Sequence, residues 1–193
     1  FLHQGLFLYC LHNLGQFTGR GEFFNDWKKG GGALYLETER CRVRPLRQED
    51  AGALGKILAD PCVMRFLEPP FSQEQTARFV AQCLQASPPP IHTVLLRGEE
   101  KAAGYLIFHP YRGRDWELGW VLGRELWGRG LAGELTRAVS ARARREGIPA
   151  LVLECVPEQA ATRRLAEKHG FRLQGRDGDL LVYRLPLAGK ESP

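Results

Sequence analysis

Apolar and polar positions alternate with a period of two in Cys41-Arg42-Val43-Arg44-Pro45-Leu46, which predicts a short strand stopping at Pro45. The period then lengthens. Glu49-Asp50 opens a helix carrying Ala51, Leu54, Ile57 and Leu58, with acids at the positive end of its dipole and Asp60-Pro61 as its stop. Ser72, followed by Glu74 and Gln75, starts a second helix whose apolar face is Ala77, Phe79, Val80, Cys83 and Leu84, and Ser87-Pro88-Pro89-Pro90 ends it. Three strands follow without a helix between them, at 92–97, 102–108 and 116–122, the first two joined by a hairpin-length turn and the second pair by a loop containing Gly113 and Arg114, as an antiparallel meander. A helix is predicted from about Gly130 to Glu146, a buried strand over 150–155, a helix over 159–169, and two strands over 171–175 and 180–185 turned by Asp177-Gly178. The order β-α-α-β-β-β-α-β-α-β-β implies an α/β (α+β) domain with a mixed sheet and helices on both faces.

The stretch that punctuates this pattern is Trp127-Gly128-Arg129-Gly130-Leu131-Ala132-Gly133, a glycine-rich loop running into a helix. The first N–H groups of such a helix lack partners, and glycines let a ligand approach the main chain, so the segment reads as an anion site suited to a diphosphate. Gly128, Gly130 and Gly133 also spell G-x-G-x-x-G, and Glu154 follows about twenty residues later, as in a dinucleotide-binding unit. That alternative requires the loop directly after a first strand and repeated βαβ crossovers. Here it follows a meander, with a single parallel crossover after it.

Composition narrows the classes further. The chain has 193 residues, 44% hydrophobic and 25% charged, which is one globular domain with room for a core. Its 27 Lys+Arg against 22 Asp+Glu leave a net charge of +5, suited to an anionic ligand and below the density of a dedicated nucleic-acid binder. Cys10, Cys41, Cys62, Cys83 and Cys155 are odd in number, without C-x-x-C spacing, so neither a disulfide framework nor a zinc site is indicated, and a reducing, cytoplasmic setting is expected. The histidines His3, His12, His92, His109 and His169 show no metal-binding spacing, so no metal site is assigned. Arg137, Arg142, Arg144 and Arg145 read as the solvated face of the helix whose core face is Leu131, Leu135, Ala138 and Val139; a nucleic-acid stripe is the sharper alternative.

Residues 1–33 form an appended segment, either disordered or an arm, too short and polar for a spanning helix and without signal-peptide pattern. The domain is assigned to 34–188 and a tail to 189–193.

The chain from about Leu36 to Leu187 resembles the GNAT (GCN5-related) N-acetyltransferases, in particular the ribosomal-protein-alanine N-acetyltransferase type. LETERCRVRPLRQEDAGAL from Leu36 is similar to that subgroup's opening and DPCVMRFL from Asp60 to its next helix end. ELGWVL at Glu117 followed by WGRGLAGEL is similar to its acetyl-CoA segment, and PEQAATRRLAEKHGF from Pro157 to its second cofactor segment. The resemblance implies a largely antiparallel sheet of six to seven strands with a splayed central pair. It also implies acetyl-CoA as co-substrate and direct acetyl transfer to an amine, either a protein N-terminus or a small molecule, by a monomer or homodimer without nucleic-acid or membrane partner. By it, the backbone of Trp127, Gly128, Arg129, Gly130, Leu131, Ala132 and Gly133 holds the pyrophosphate, with Arg129 a phosphate partner. Main-chain groups at Trp120, Val121 and Leu122 meet the pantetheine amides, and Gln159, Thr162 and Arg164 complete the cofactor contacts. Gln159 stands where the family usually has Asn, and Ala166 where it often has the Tyr that protonates the departing thiolate. These departures keep a non-catalytic CoA-binding module as the rival reading.

Acyl transfer to an amine needs a base and an oxyanion donor but no covalent enzyme intermediate, and no cysteine lies in a nucleophile motif. Glu117 is the expected general base, in a cleft walled by Trp116, Trp120 and Trp127 that would raise its pKa; a structural Glu bonded to backbone is the alternative, and Asp115 a substitute. Strand alternation puts Asp115, Glu117 and Gly119 on one face and Trp116, Leu118 and Trp120 on the other, with Gly119 keeping space beside the thioester. The tryptophans can equally be core.

Overall fold

A computed structural model describes residues 34–187; the appended segment and the tail assigned from the sequence lie outside them. The chain runs β1 (Leu36–Glu37), β2 (Cys41–Pro45), α1 (Ala51–Leu58), α2 (Pro61–Met64), α3 (Gln73–Gln85), β3 (Ile91–Leu96), β4 (Ala102–Pro110), β5 (Trp116–Leu122), α4 (Leu131–Arg145), β6 (Ala150–Cys155), α5 (Ala160–Lys168), β7 (Arg172–Asp177) and β8 (Leu180–Pro186). The strands form one sheet in the order β1-β2-β3-β4-β5-β6-β8-β7. The pair β5/β6 is parallel and the other described pairs are antiparallel. Eight strands rather than six to seven are present because Leu36 and Glu37 pair with Val43 and Arg42, a two-residue edge too short to carry a periodic signal. Asp60-Pro61 stops α1, as expected, and also starts α2: the Asp60 carboxylate accepts from Cys62 N at 2.7 Å, and proline suits the first helical position.

Alternation along the strands loads both faces. One core gathers Val43, Val94, Leu106, Phe108, Trp116, Leu118, Leu151 and Leu153 beneath Leu131, Leu135 and Val139 of α4 and Ala166 of α5. The other gathers Ile91, Tyr105, Ile107 and Val121 beneath Leu54, Ile57 and Leu58 of α1 and Phe79, Val80 and Cys83 of α3. Each such buried side chain contributes about 1.5–3 kcal/mol relative to exposure. On α3 the expected face shifts slightly, because Thr76 is buried and Leu84 is exposed. Helix α3 begins in a capping box, with Ser72 Oγ accepting from Gln75 N at 3.1 Å and Gln75 Oε1 accepting from Ser72 N at 2.7 Å.

Asp50 does more than favour a helix dipole. Its buried carboxylate accepts from Arg44 Nη1 and Nη2 at 2.8 and 2.7 Å, from Thr93 Oγ1 at 2.6 Å and from Arg47 N at 2.9 Å. Through it β2, β3 and the start of α1 are locked together, so the α1/α3 layer has a fixed place over the sheet.

Candidate active site

The site begins where two neighbouring strands part. Strands β5 and β6 pair only at Trp116 with Leu151 and Glu117 with Val152. Yet β5 stays paired with β4 as far as Leu122, and β6 with β8 as far as Cys155. Beyond Glu117 a V-shaped gap therefore opens between them. Gly123 N donates to Ala103 O at 3.0 Å, and alternation from that bond turns the main chain of Val121 and Gly119 towards β4 and that of Trp120 and Leu122 towards the gap. The Val121 carbonyl lies so close over Gly104 that a Cβ there would be 2.1 Å from it. Of the three residues expected to meet an extended ligand, Trp120 and Leu122 thus face the gap while the main chain of Val121 is engaged with β4. Trp127, 50% exposed, donates its indole N–H to Leu122 O at 3.0 Å, so its ring stands at the mouth of the gap.

At that mouth the chain turns into α4. Gly128 and Gly130 have φ of 71° and 78°, a left-handed conformation that L side chains rarely adopt, and Gly130 is the N-cap of α4. The first intrahelical bond runs from Glu134 N to Gly130 O at 3.1 Å, so the N–H groups of Leu131, Ala132 and Gly133 are the ones a helix leaves without helical acceptors. The Leu131 side chain is core and Ala132 packs against it, so only their main chain is available to a ligand. Gly133 has a different reason to be glycine: a Cβ would lie 2.9 Å from His169 Nε2, where the end of α5 packs against α4. The Arg129 side chain is exposed, and its carbonyl accepts from Arg40 Nη1 at 2.8 Å. Arg40, which the sequence reading did not single out, also donates from its backbone N and its Nε to Glu134 at 2.8 and 2.7 Å. Burial works to raise the Glu134 pKa, but bonds from Thr38 and Arg40 outweigh it and hold the carboxyl below its usual range. Loop and helix are thereby braced against the turn between β1 and β2. A diphosphate on an extended arm fits this arrangement, with anion at the helix start and amides along the open edge of β5.

In the second expected segment Gln159 is the N-cap of α5, and its Oε1 accepts from Val156 N at 3.0 Å, so this oxygen serves its own loop. Thr162 is half-buried and Arg164 exposed on the same helix. Ala166 is buried in the core and supplies no polar group.

The far side of the gap holds a buried polar cluster. The three-tryptophan cleft around Glu117 is not what forms. Trp116 and Trp120 project from the opposite face of β5, as alternation requires, and Trp116 packs on Phe108 at 4.6 Å between ring centroids. Glu117 instead faces His109, its register partner on β4, with Nε2 3.3 Å from Oε2 and both side chains buried. His109 Nδ1 is 2.8 Å from Pro110 O. Across β6, Glu154 occupies the same face two residues after Val152, also buried, and accepts a short hydrogen bond from the Tyr111 hydroxyl. Arg112 lies over the Tyr111 ring at 5.4 Å and pairs with Asp177. Asp115 is bound by Arg184 through contacts of 2.6 and 3.0 Å, which removes it as a substitute base. Gly119 makes room for Ile107, whose Cδ1 would be 2.9 Å from a Cβ there, rather than for a thioester.

Electrostatics separates these groups. Burial, reinforced by the charges of Glu117 and Asp177, pushes the Glu154 carboxyl up to about 7, against the opposing bond from Tyr111. Burial and Glu154 together push the Tyr111 phenol up. For His109 burial alone would lower the pKa, but the bond and charge of Glu117 prevail and raise it. Glu154, Tyr111 and His109 are not among the site residues expected from the sequence, where Glu154 enters only as the acidic residue of the dinucleotide-binding alternative. The available signal was a glutamate inside the otherwise apolar run Ala150-Leu151-Val152-Leu153-Glu154-Cys155.

Comparisons with known proteins agree with this geometry. The family model described as Acetyltransferase (GNAT) domain matches residues 40–172. No curated protein matches the sequence. Among solved structures, a GNAT-family acetyltransferase from Bacillus anthracis is similar over 80% of this chain and 99% of its own, with 26% identity and a TM-score of 0.73. An acetyl transferase from Salmonella typhimurium that modifies the N-terminal serine of 50S ribosomal subunit protein L7/L12 shares the fold, with 18% identity, 78% and 97% coverage and a TM-score of 0.67. RimL, a ribosomal L7/L12 alpha-N-protein acetyltransferase solved in complex with coenzyme A, does so with 18% identity, 79% and 97% coverage and a TM-score of 0.68. The family match spans the parted strands, the glycine loop, Glu117 and Glu154, and by it this chain belongs to the GNAT acetyltransferase family.

Proposed function

We propose that the protein transfers the acetyl group of acetyl-CoA directly to an amine, a protein N-terminus or a small-molecule amine, with Glu154 as the general base. The observation that carries this reading is the meeting, at one parting of strands, of main chain open to an extended ligand and a buried carboxyl titrating near neutrality. Bound acetyl-CoA supplies an acetyl group activated as a thioester. The N–H groups of Leu131 to Gly133 hold its diphosphate, Trp120 and Leu122 align its arm, and Arg129 adds a positive charge at the rim. Glu154 takes the proton from the amine as the new C–N bond forms and the thioester C–S bond breaks, coenzyme A leaves and is released as its thiol, and Glu117 beside Glu154 is the second carboxyl of the site. The assignment of the base thus passes from Glu117, which is paired with His109, to Glu154, whose carboxyl burial pushes up to about 7. The buried thiols take no part: burial pushes Cys155 up to about 11 and Cys83 up as well, so neither is a nucleophile at neutral pH. An N-terminal acceptor draws support from the Salmonella and RimL folds, whose known acceptor is a ribosomal protein N-terminus.

Calorimetry with acetyl-CoA, coenzyme A and NADH, followed by thiol release in the presence of amines and N-terminal peptides, tests the proposal. Binding of the two CoA species with release on an amine is expected. Binding without release on any amine would favour the non-catalytic module, and binding of NADH alone would overturn both. Gly130→Val is expected to weaken acetyl-CoA at least about tenfold, since a β-branched residue both strains the left-handed N-cap and crowds the helix N–H groups. Unchanged affinity in a folded variant would place the diphosphate elsewhere.

A further inference from the structure

We propose that His109 is a positioning residue that divides the work of Glu117 and Glu154: by holding Glu117 in a buried pair across β4 and β5, it leaves Glu154 as the group that takes and gives the reaction's proton. This deepens the reading above and rests on it.

The geometry begins with register. His109 and Glu117 are directly opposed on β4 and β5, and Glu117 is beside Val152 on β6, which places His109, Glu117 and Glu154 in a row on one face of the sheet. Cross-strand partners of this kind stand within side-chain reach. The proton count follows from chemistry. A carbonyl only accepts, so the 2.8 Å contact with Pro110 O requires a proton on Nδ1. Nε2 then faces the Glu117 carboxylate at 3.3 Å. A bare lone pair there would set acceptor against acceptor in a dry site, so the pair holds one further proton between them and is neutral as a whole.

Burial works to lower the His109 pKa, but the bond and charge of Glu117, the Pro110 carbonyl and the charge of Glu154 outweigh it and raise it. His92, buried on β3, is itself pushed down to about 3 by burial and by His109, so it brings no competing charge at neutral pH. Around Glu154 stand Tyr111, Glu117, Asp177 and Arg112, the last two paired with each other. Without the imidazolium, Glu117 and Glu154 would be two carboxyls competing for one proton, and their titrations would merge into two macroscopic steps belonging to neither. With it, the proton that moves has one address.

The test reads protons rather than product. In the full chain, the C=O stretch of the protonated carboxyl is followed by infrared titration and assigned by its disappearance in Glu154→Gln. His109→Gln removes the positive charge and leaves both carboxyls, so the last ionisation is expected to move upward by about one pH unit or more. The double variant His109→Gln with Glu117→Gln removes a neutral pair and is expected to return the midpoint close to that of the unaltered protein. A role confined to packing would leave the midpoint in place in the single variant, or leave it displaced in the double one, and either result overturns the proposal. Should the single variant not fold, nitrogen NMR of the His109 ring decides: doubly protonated at pH 7 in the unaltered protein and singly protonated in Glu117→Gln. A ring already singly protonated in the unaltered protein would likewise overturn it. Neither readout uses acetyl-CoA, so absence of CoA binding would sink the proposed function while these titrations judge His109 by itself.

Discussion

Glu154→Gln is expected to lower acetyl transfer by about 10²–10⁴-fold, the reach of general base catalysis, while leaving acetyl-CoA affinity nearly unchanged. The same substitution is expected to stabilise the fold at alkaline pH. The folded-state pKa of Glu154 is raised to about 7 from an ordinary 4.5. Between those values the native protein keeps a proton that the unfolded chain has released, so stability falls as pH rises through this window and stays reduced above it. Glutamine keeps an acceptor for the Tyr111 hydroxyl and carries no charge to desolvate, which should make the variant more stable by about 1–3 kcal/mol at pH 8 and little different at pH 4. Denaturant unfolding at the two pH values, with turnover measured once an acceptor is in hand, checks both halves. Normal turnover would return the base to Glu117 or to bound water; equal stability at pH 8 would mean that the carboxyl is not strained by burial.

Asp50→Ala is expected to be the most destabilising single substitution discussed here, by about 3–5 kcal/mol, a large share of the 5–15 kcal/mol that holds a typical domain. Removal of the carboxylate leaves the buried Arg44 guanidinium without its bonded partner and takes the acceptor from Thr93 and from Arg47 N. Burial tends to raise the Asp50 pKa, but Arg44, Thr93 and Arg47 outweigh it and bring it below 3.8. A depressed carboxyl contributes its full stability above the unfolded value and loses it as pH falls through the folded one, so the gap between Asp50→Ala and the unaltered protein should narrow in acid. Thermal unfolding at pH 7 and pH 3 measures this. A loss under about 1 kcal/mol at pH 7 would show that the cluster contributes little net stability. Asp50→Ala with Arg44→Leu should recover part of the loss, because an apolar pair replaces an orphaned charge.

Much of the fold was legible because its signals are local. The meander, the crossover through α4 and the glycine turn ahead of it follow from periods of two and 3.6 and from punctuation by glycine and proline. Alternation also put Glu117 and Gly119 opposite Trp116, Leu118 and Trp120, and the two cores keep that division. The edge strand Leu36–Glu37 and helix α2 were not legible, since two and four residues are too few to show a period.

The candidate site divides in the same way. The sequence by itself determined the glycine loop and its helix start, because the residue types that permit a left-handed turn and a bare N-terminus are contiguous. What surrounds each glutamate was decided by the tertiary structure. Tyr111 reaches Glu154 across 43 positions, and Arg40 braces the glycine loop through a glutamate 94 positions away. His109 meets Glu117 only because the β4/β5 register opposes them, and a slip of one residue would put them on different faces. Where β5 leaves β6, and hence which main-chain groups face the gap, depends on how each strand is held by its outer neighbour. Side-chain period is a property of the backbone and can be read residue by residue; pairing, divergence and the charge state of a buried carboxyl depend on groups that only folding brings together.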